Sequence, residues 1–249
     1  MNHLPAGGGR TTLHADPEHA ALRALIPLLM LLGIGLFYYL ILGLWSLLAG
    51  SDGRPDYAVL IACAGALPLG IGLAAGSERL LKRLWRSGKE IVLDETAVTF
   101  SHNQSRQSEI YWQRPFQFTG WYFSLKGYPR GGRERNFPDS YYCLALQVQQ
   151  AEVRINCFCF VSGGQIADWA ARTQFHEIRP AELFETGFTS RFTLPTRPQL
   201  SAKLLASEDG RHWLAERNRW QEGVELTPDD FSLLWRVIKQ SADFADYAD

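Results

Sequence analysis

The sequence predicts a membrane hairpin of two α-helices, followed by a mainly β domain of the α+β class and a small helical extension. Three observations lead to this fold class. Residues 24–76 are apolar apart from one short polar interruption. Residues 89–162 alternate between apolar and polar side chains with a period of two, which is typical of strands. Near the end of the chain, apolar residues recur at helical spacing.

Two apolar runs are each long enough to cross a bilayer. No charged residue occurs between Arg23 and Asp52, and the run that begins after Asp56 is also uncharged. At about 1.5 Å rise per helical residue, each run covers a hydrocarbon core of roughly 30 Å. We therefore predict one span over residues 24–49 and a second over residues 57–76.

A cleaved signal peptide is the alternative interpretation of the first run. The run is longer than the apolar core of a signal peptide, and no small-residue cleavage site follows it. A second apolar run comes next. These features favour two membrane spans.

Composition excludes some classes of function. The chain has 249 residues, of which 46% are hydrophobic, and its formal net charge is −1. The chain lacks the overall basic excess that is typical of nucleic-acid-binding proteins. It also lacks the acidic excess that is typical of disordered chains. The part outside the spans is long enough for one compact domain and a smaller appendage.

Basic residues set the expected orientation and the first candidate binding surface. They are concentrated just after the second span, whereas the turn between the spans has one arginine beside two aspartates. The positive-inside rule then places both termini and the β domain in the cytoplasm, where cysteines stay reduced. Residues 1–21 form a mobile tail, and residues 22–87 hold the two spans and a basic amphipathic segment. The candidates for contact with anionic lipid or a partner in this segment are Arg79, Lys82, Arg83 and Arg86.

The second span is rich in small residues. Ala66 with Gly70, and Gly72 with Gly76, have the spacing that lets two helix backbones approach closely. This surface packs either on the first span or on another protein molecule.

Residues 88–175 are expected to form the β domain. Short strands alternate with turns, and a helix follows the last two long strands. Consecutive antiparallel strands closed by one helix predict a small barrel or an orthogonal sandwich.

These features together resemble a known family. The two-helix hairpin, the basic segment and the final helix after paired strands are similar to bacterial membrane-anchored PH-like proteins of the YcxB-like type, over about residues 22–175. The resemblance implies a PH-like barrel in the cytoplasm, anchored in the bacterial inner membrane. The chain departs from the usual pattern at residues 156–160 and in the longer loop 126–140. The motifs that carry the resemblance are Gly88-Lys89-Glu90-Ile91-Val92-Leu93-Asp94 with Val98, and Glu109-Ile110-Tyr111-Trp112.

Residues 176–249 are interpreted as a separate C-terminal extension. Thr227 can cap a helix that begins at Pro228 and runs over about residues 227–240. The helix has an apolar stripe that must be buried, either on its own domain or as a docking surface for another subunit. The stripe consists of Phe231, Leu234, Trp235 and Ile238.

The sequence shows no catalytic spacing. His176-Glu177 lacks a second histidine four residues after the first, so the zinc-protease motif is absent. Cys157 and Cys159 point to one face of a strand, but two thiolates complete a zinc site only if His102 or Cys143 converges on them. The alternative is that these cysteines are small core residues. We expect no enzyme activity, no cofactor and no metal.

The loop 126–140 is a second candidate for ligand binding. Its four cations lie near aromatic residues and could bind lipid phosphates or the acidic face of a partner. The alternative is an ordinary solvated loop. The four cations are Lys126, Arg130, Arg133 and Arg135.

Three hypotheses of function follow. The first is a non-enzymatic membrane-anchored adaptor or accessory subunit of a membrane complex, whose partners are other membrane proteins or further copies of itself. The second is a sensor of anionic lipid that uses the two basic segments. The third is a component of a membrane enzyme or transporter, against which stands the lack of an ionisable residue inside the spans.

Overall fold

A computed structural model describes residues 10–16, 20–49, 57–85, 87–103, 105–128, 137–184 and 198–245. The chain forms two compact units. One unit is the helical hairpin of residues 18–86. The other, here called the β domain, is built from residues 1–17 together with residues 87–249.

The hairpin consists of two long helices. Helix α1 runs over Ala20–Ala49 and α2 over Tyr57–Leu84. Both are long and apolar enough to cross a membrane, by length and composition, over Ala24–Leu48 and Tyr57–Leu81. Helix α2 continues through Pro68 without ending and carries the first part of the basic segment as an uninterrupted extension of the second span.

Small residues allow the two helices to pack closely. Every fourth residue of α2 faces α1, which is the i, i+4 spacing of one helix face. At Gly70, an added Cβ would lie 2.4 Å from Cγ1 of Ile34 and 2.9 Å from its backbone nitrogen. Gly72 and Gly76 face away from α1, with nothing described within 4 Å of an added Cβ. The close approach to the first helix is thus observed at Gly70, and Ala66 is buried on the same face of α2. The buried positions on this face are Ala58, Ala62, Ala66, Gly70 and Ala74.

The first sheet of the β domain has four antiparallel strands in the order β1-β2-β3-β4. Strand β1 pairs with β2 from Thr11↔Leu93 to His14↔Glu90, so the chain enters this sheet before the hairpin and again after it. The expected mobile tail over residues 1–21 is therefore wrong for the segment that forms β1. Its one buried apolar side chain, Leu13, was too little to predict a strand whose pairing partner is so distant in sequence. The strands are β1 Thr11–His14, β2 Lys89–Leu93, β3 Ala97–His102 and β4 Ser105–Tyr111.

The second sheet has five strands in the order β8-β5-β6-β7-β9. Strands β5, β6 and β7 form an antiparallel meander, while the short β8 and β9 pair in parallel with β5 and β7. The described strands form two sheets, and no closed barrel is found among them. The strands are β5 Gln117–Ser124, β6 Tyr141–Gln150, β7 Val153–Ser162, β8 Phe175–Glu177 and β9 Val224–Glu225.

Asp16 connects the outer edges of the two sheets. Its backbone nitrogen donates to the Glu225 carbonyl at 2.7 Å, and the Glu225 nitrogen donates to Oδ1 of Asp16 at 2.8 Å. Lys89 pairs with the other carboxylate oxygen at 2.6 Å. This clasp joins the end of β1 to β9.

Four α-helices complete the domain. Helix α3 follows β7 directly, as predicted, and a 3₁₀ turn lies at Pro180–Leu183. Thr227 accepts a hydrogen bond from the Asp230 backbone nitrogen at 3.2 Å, so the predicted cap of α6 is confirmed. The helices are α3 Gly163–Ala170, α4 Ala202–Leu205, α5 Gly210–Glu222 and α6 Pro228–Ala245.

Two hydrophobic clusters share the second sheet. The main core lies between the sheets and takes in α3 and α6, while a second cluster lies on the opposite face of β5–β7 under α5. Strand β7 shows the division, because Ile155 and Cys157 point into the main core and Phe158 into the second cluster. Residues 176–249 therefore supply strands and core helices to the β domain and are not a separate extension.

Candidate functional site

The predicted basic surfaces are only partly described. Arg79 lies exposed on α2, and Lys126 lies exposed in the turn after β5. The side chains of the remaining candidates lie outside the described residues: Lys82, Arg83, Arg86, Arg130, Arg133 and Arg135.

The apolar stripe of α6 is buried within its own domain. Trp235 is 2% exposed, with edge-to-face contacts to Phe118 at 5.4 Å and Phe175 at 4.9 Å between ring centroids. Phe231, Leu234 and Ile238 are at most 1% exposed. The stripe is thus core, and the alternative of a docking surface is wrong.

Among the described residues, the three cysteines of the β domain do not converge on one point. Cys157 and Cys159 lie in the main core, whereas Cys143 belongs to the cluster on the other face of the sheet. Burial raises the pKa of the Cys143 thiol to about 12 and also raises those of Cys157 and Cys159. Protonated thiols in apolar surroundings behave as small hydrophobic residues.

A groove lined by both polar and apolar residues runs beside the first half of β7, on the side that β9 leaves open. Strand β9 pairs only with Cys157 and Phe158, so the edge of β7 before them faces the groove and not a described strand of the same sheet. The groove has a volume of about 330 Å³. We call it the β7 groove, lined by Phe100, Gln107, Ser108, Arg154, Ile155, Asn156, Glu222 and Val224.

Asn156 is the unusual residue of the β7 groove. Its side chain is 3% exposed, yet neither its Nδ2 nor its Oδ1 has a hydrogen-bond partner among the described residues. The cross-strand neighbour Gln147 is satisfied, because Asn218 donates to its Oε1 at 2.9 Å. A buried amide without partners costs about 1–3 kcal/mol for each polar group, so it needs an explanation.

An ion pair closes one end of the β7 groove. Nε and Nη2 of Arg154 donate to the two carboxylate oxygens of Glu222 at 3.1 and 3.2 Å. The hydrogen bonds with Glu222 raise the pKa of Arg154 further above its usual value. Both side chains are partly exposed, so the pair marks the rim and adds little to stability.

A second polar cluster lies where β8 meets the start of α5. Nε2 of His176 lies 2.8 Å from Oδ1 of Asp209, and the rings of His176 and His212 stack at 4.6 Å with 22° between their planes. His212 is 5% exposed, and burial, followed by the charges of His176 and Arg211, lowers its pKa to about 4. We call His176, Asp209 and His212 the His–Asp–His cluster.

Sequence reasoning missed both features. The zinc-protease motif requires a second histidine four residues after the first, whereas His212 comes from a helix far along the chain. The available indication was the spacing of Asp209 and His212, three residues apart at a predicted helix start and so on one face. Nothing in the sequence marked Asn156, because its lack of partners depends on where β9 ends.

Comparisons of the chain with protein-family models, curated proteins and solved structures give no match. The similarity to YcxB-like proteins therefore stays a prediction.

Proposed function

We propose that the protein is a non-enzymatic membrane-anchored adaptor, whose β domain binds a peptide segment of a partner membrane protein in the β7 groove. The observation that carries the proposal is the buried, unpartnered amide of Asn156 in that groove. The hairpin holds the domain at the membrane, and the groove supplies the contact.

Two features support the membrane anchor. The outward faces of α1 and α2 carry large exposed apolar residues such as Leu36, Leu47 and Leu60, which suit contact with lipid. In addition, β1 and β2 pair although the hairpin separates them, which supports a topology with both ends of the hairpin on the same side of a membrane. An even number of spans gives this topology.

The cytoplasmic side of a bacterial inner membrane is the proposed location. The positive-inside rule supports it through the basic residues that follow the second span. We also propose a PH-like fold for the β domain. Its two packed sheets, followed by helix α3, agree with such a fold.

A peptide group fits the groove chemically. The Asn156 side chain offers one acceptor and an NH₂ donor side by side, which complements the C=O and N–H of a polypeptide. Both amide atoms are buried, so the side chain would turn toward the groove when a peptide binds. The open edge of β7 adds backbone groups next to it, as in the recognition of peptides by strand addition. Gln107 and Ser108 on β4 line the opposite side with further polar groups.

The test compares the wild type and Asn156→Leu in two measurements: the unfolding temperature and the copurification of a partner protein. Leucine has the same number and branching of side-chain heavy atoms and removes the unpaired amide, so the variant should unfold at the same or a higher temperature than the wild type. It should nevertheless lose a stoichiometric, salt-resistant partner that copurifies with the wild-type protein in mild detergent. This separation of stability from binding is typical of a functional polar residue.

Gln240→Leu, on the exposed side of α6, is the matched control and should keep the partner. Equal partner retention in wild type and Asn156→Leu would overturn the role of the groove. A lone protein that carries anionic lipid would favour the lipid-sensor hypothesis. In that case Arg130, Arg133 and Arg135, replaced together by alanine, should weaken flotation with anionic liposomes.

A further inference from the structure

We infer that the His–Asp–His cluster binds a divalent transition-metal ion, and that Zn²⁺ fits its donor set best. The inference goes beyond the proposed adaptor function and does not depend on it. Two imidazoles and one carboxylate are a common zinc ligand set, with a fourth position left for water or another ligand.

The geometry places three donors close together. Each residue offers one ligand atom, and these atoms all lie within 4.8 Å of one another. Bonds of 2.0–2.1 Å in a tetrahedral site put ligand atoms about 3.4 Å apart. The stacked rings of His176 and His212 must open so that both nitrogen lone pairs point at one ion, and His176, the most exposed of the three residues, has room for that rotation.

Asp209 is positioned for this role and not for helix capping. It occupies the N-cap of α5 but makes no side-chain capping hydrogen bond. Its carboxylate is directed to His176 instead. A carboxylate this close to an imidazole can bind the same metal ion as its neighbour.

His212 is prepared as a ligand. It is buried, and its Nδ1 has no hydrogen-bond partner among the described residues. The nearby Arg211 opposes a cation, but its side chain is exposed and its charge is screened by solvent.

A bound ion would join two parts of the domain. His176 lies on the short edge strand β8, which pairs with β5 through only three residues, and Asp209 and His212 lie at the start of α5. Zinc would therefore tie an edge strand to the helix that covers the second cluster. Metal binding to the folded state raises its stability through mass action.

The experiment titrates Zn²⁺ into the full-length protein in detergent, purified with a tag that contains no histidine and stripped with a chelator. Calorimetry should give one ion per chain, and saturating Zn²⁺ should raise the unfolding temperature. His176→Ala and Asp209→Asn change exposed or half-exposed side chains, so both should fold. Each should weaken Zn²⁺ binding by about tenfold or more.

His102→Ala is the matched control, because His102 lies on β3 outside the cluster. It should bind Zn²⁺ like the wild type. Co²⁺ in place of Zn²⁺ should give the intense visible absorption of a tetrahedral site in the wild type and the control only. The inference is overturned if the wild type binds no stoichiometric Zn²⁺, or if His176→Ala and Asp209→Asn bind it with unchanged affinity. The peptide-binding role of the β7 groove is tested separately, by partner retention in Asn156→Leu. A negative result for the metal site therefore does not affect the proposed adaptor function.

Discussion

The indole nitrogen of Trp121 donates a hydrogen bond of 2.8 Å to Oε2 of Glu216, linking strand β5 to helix α5. The carboxylate is fully buried and also accepts bonds from Nε and Nη2 of Arg219 at 2.7 and 2.6 Å. Burial alone would lower the pKa of Arg219, but the adjacent Glu216 charge raises it well above its usual value. The guanidinium also lies 4.8 Å from the centroid of the Phe158 ring.

Arg219→Met should destabilise the β domain by about 3–5 kcal/mol, because it leaves the Glu216 carboxylate buried without a counter-charge. The double variant Glu216→Leu/Arg219→Met removes both charges and leaves only the Trp121 N–H unpaired. It should lose about 1–3 kcal/mol. Denaturant unfolding of both variants measures the difference, and equal losses would contradict the expected cost of an uncompensated charge.

Trp235→Ala should cost about 3–5 kcal/mol, since it opens a cavity where α6 meets β5 and β8. Trp235→Asp adds a buried charge and should abolish the cooperative unfolding of the domain. Lys239→Ala, on the exposed side of the same helix, should change stability by less than about 0.5 kcal/mol. Near-UV circular dichroism during heating gives the unfolding transition of each of the three variants for comparison with the wild type. A Trp235→Asp variant that unfolds like the wild type would show that the stripe is not core.

Gly70→Ala should separate the two membrane helices, because the new methyl group would meet Ile34 on both its side chain and its backbone. Gly72→Ala has open space around it and serves as the control. A cysteine pair introduced across the α1–α2 contact should crosslink less efficiently in the first variant than in the second. Similar crosslinking in both would contradict the close approach.

Cys143, Cys157 and Cys159 should resist alkylation in the folded protein. With a pKa of about 12, Cys143 holds only ~10⁻⁴ of its molecules as thiolate at pH 8. Raising the pH from 7 to 9 increases the thiolate of an exposed thiol but leaves these thiols protonated. Mass spectrometry after maleimide treatment, in a Cys63→Ser background, checks this, and denaturant provides the positive control. Rapid labelling without denaturant would contradict the burial.

The spans and the meander could be predicted because both depend on local patterns. Long runs without charged residues identify α1 and α2. The alternation of apolar and polar side chains identifies β5–β7. For α6, the sequence left two alternatives, packing in its own domain or docking of another subunit. It could not decide between them, because both require the same aromatic stripe. Strands β1, β8 and β9 escaped prediction since they are short and gain their stability from distant partners. The His–Asp–His cluster depends on the same distant contacts.

The place of β1 in the first sheet has a consequence for how the protein is made. The ribosome releases β1 before either membrane helix exists, and β2 only after both, so β1 must wait for its partner throughout hairpin synthesis. The clasp from Asp16 to Glu225 waits longer still, until nearly the whole chain has been synthesised. Completion of the β domain therefore requires the chain to come back to β1 after both helices of the hairpin have been made. A hairpin that does not bring β2 back beside β1 leaves the first sheet without its edge strand.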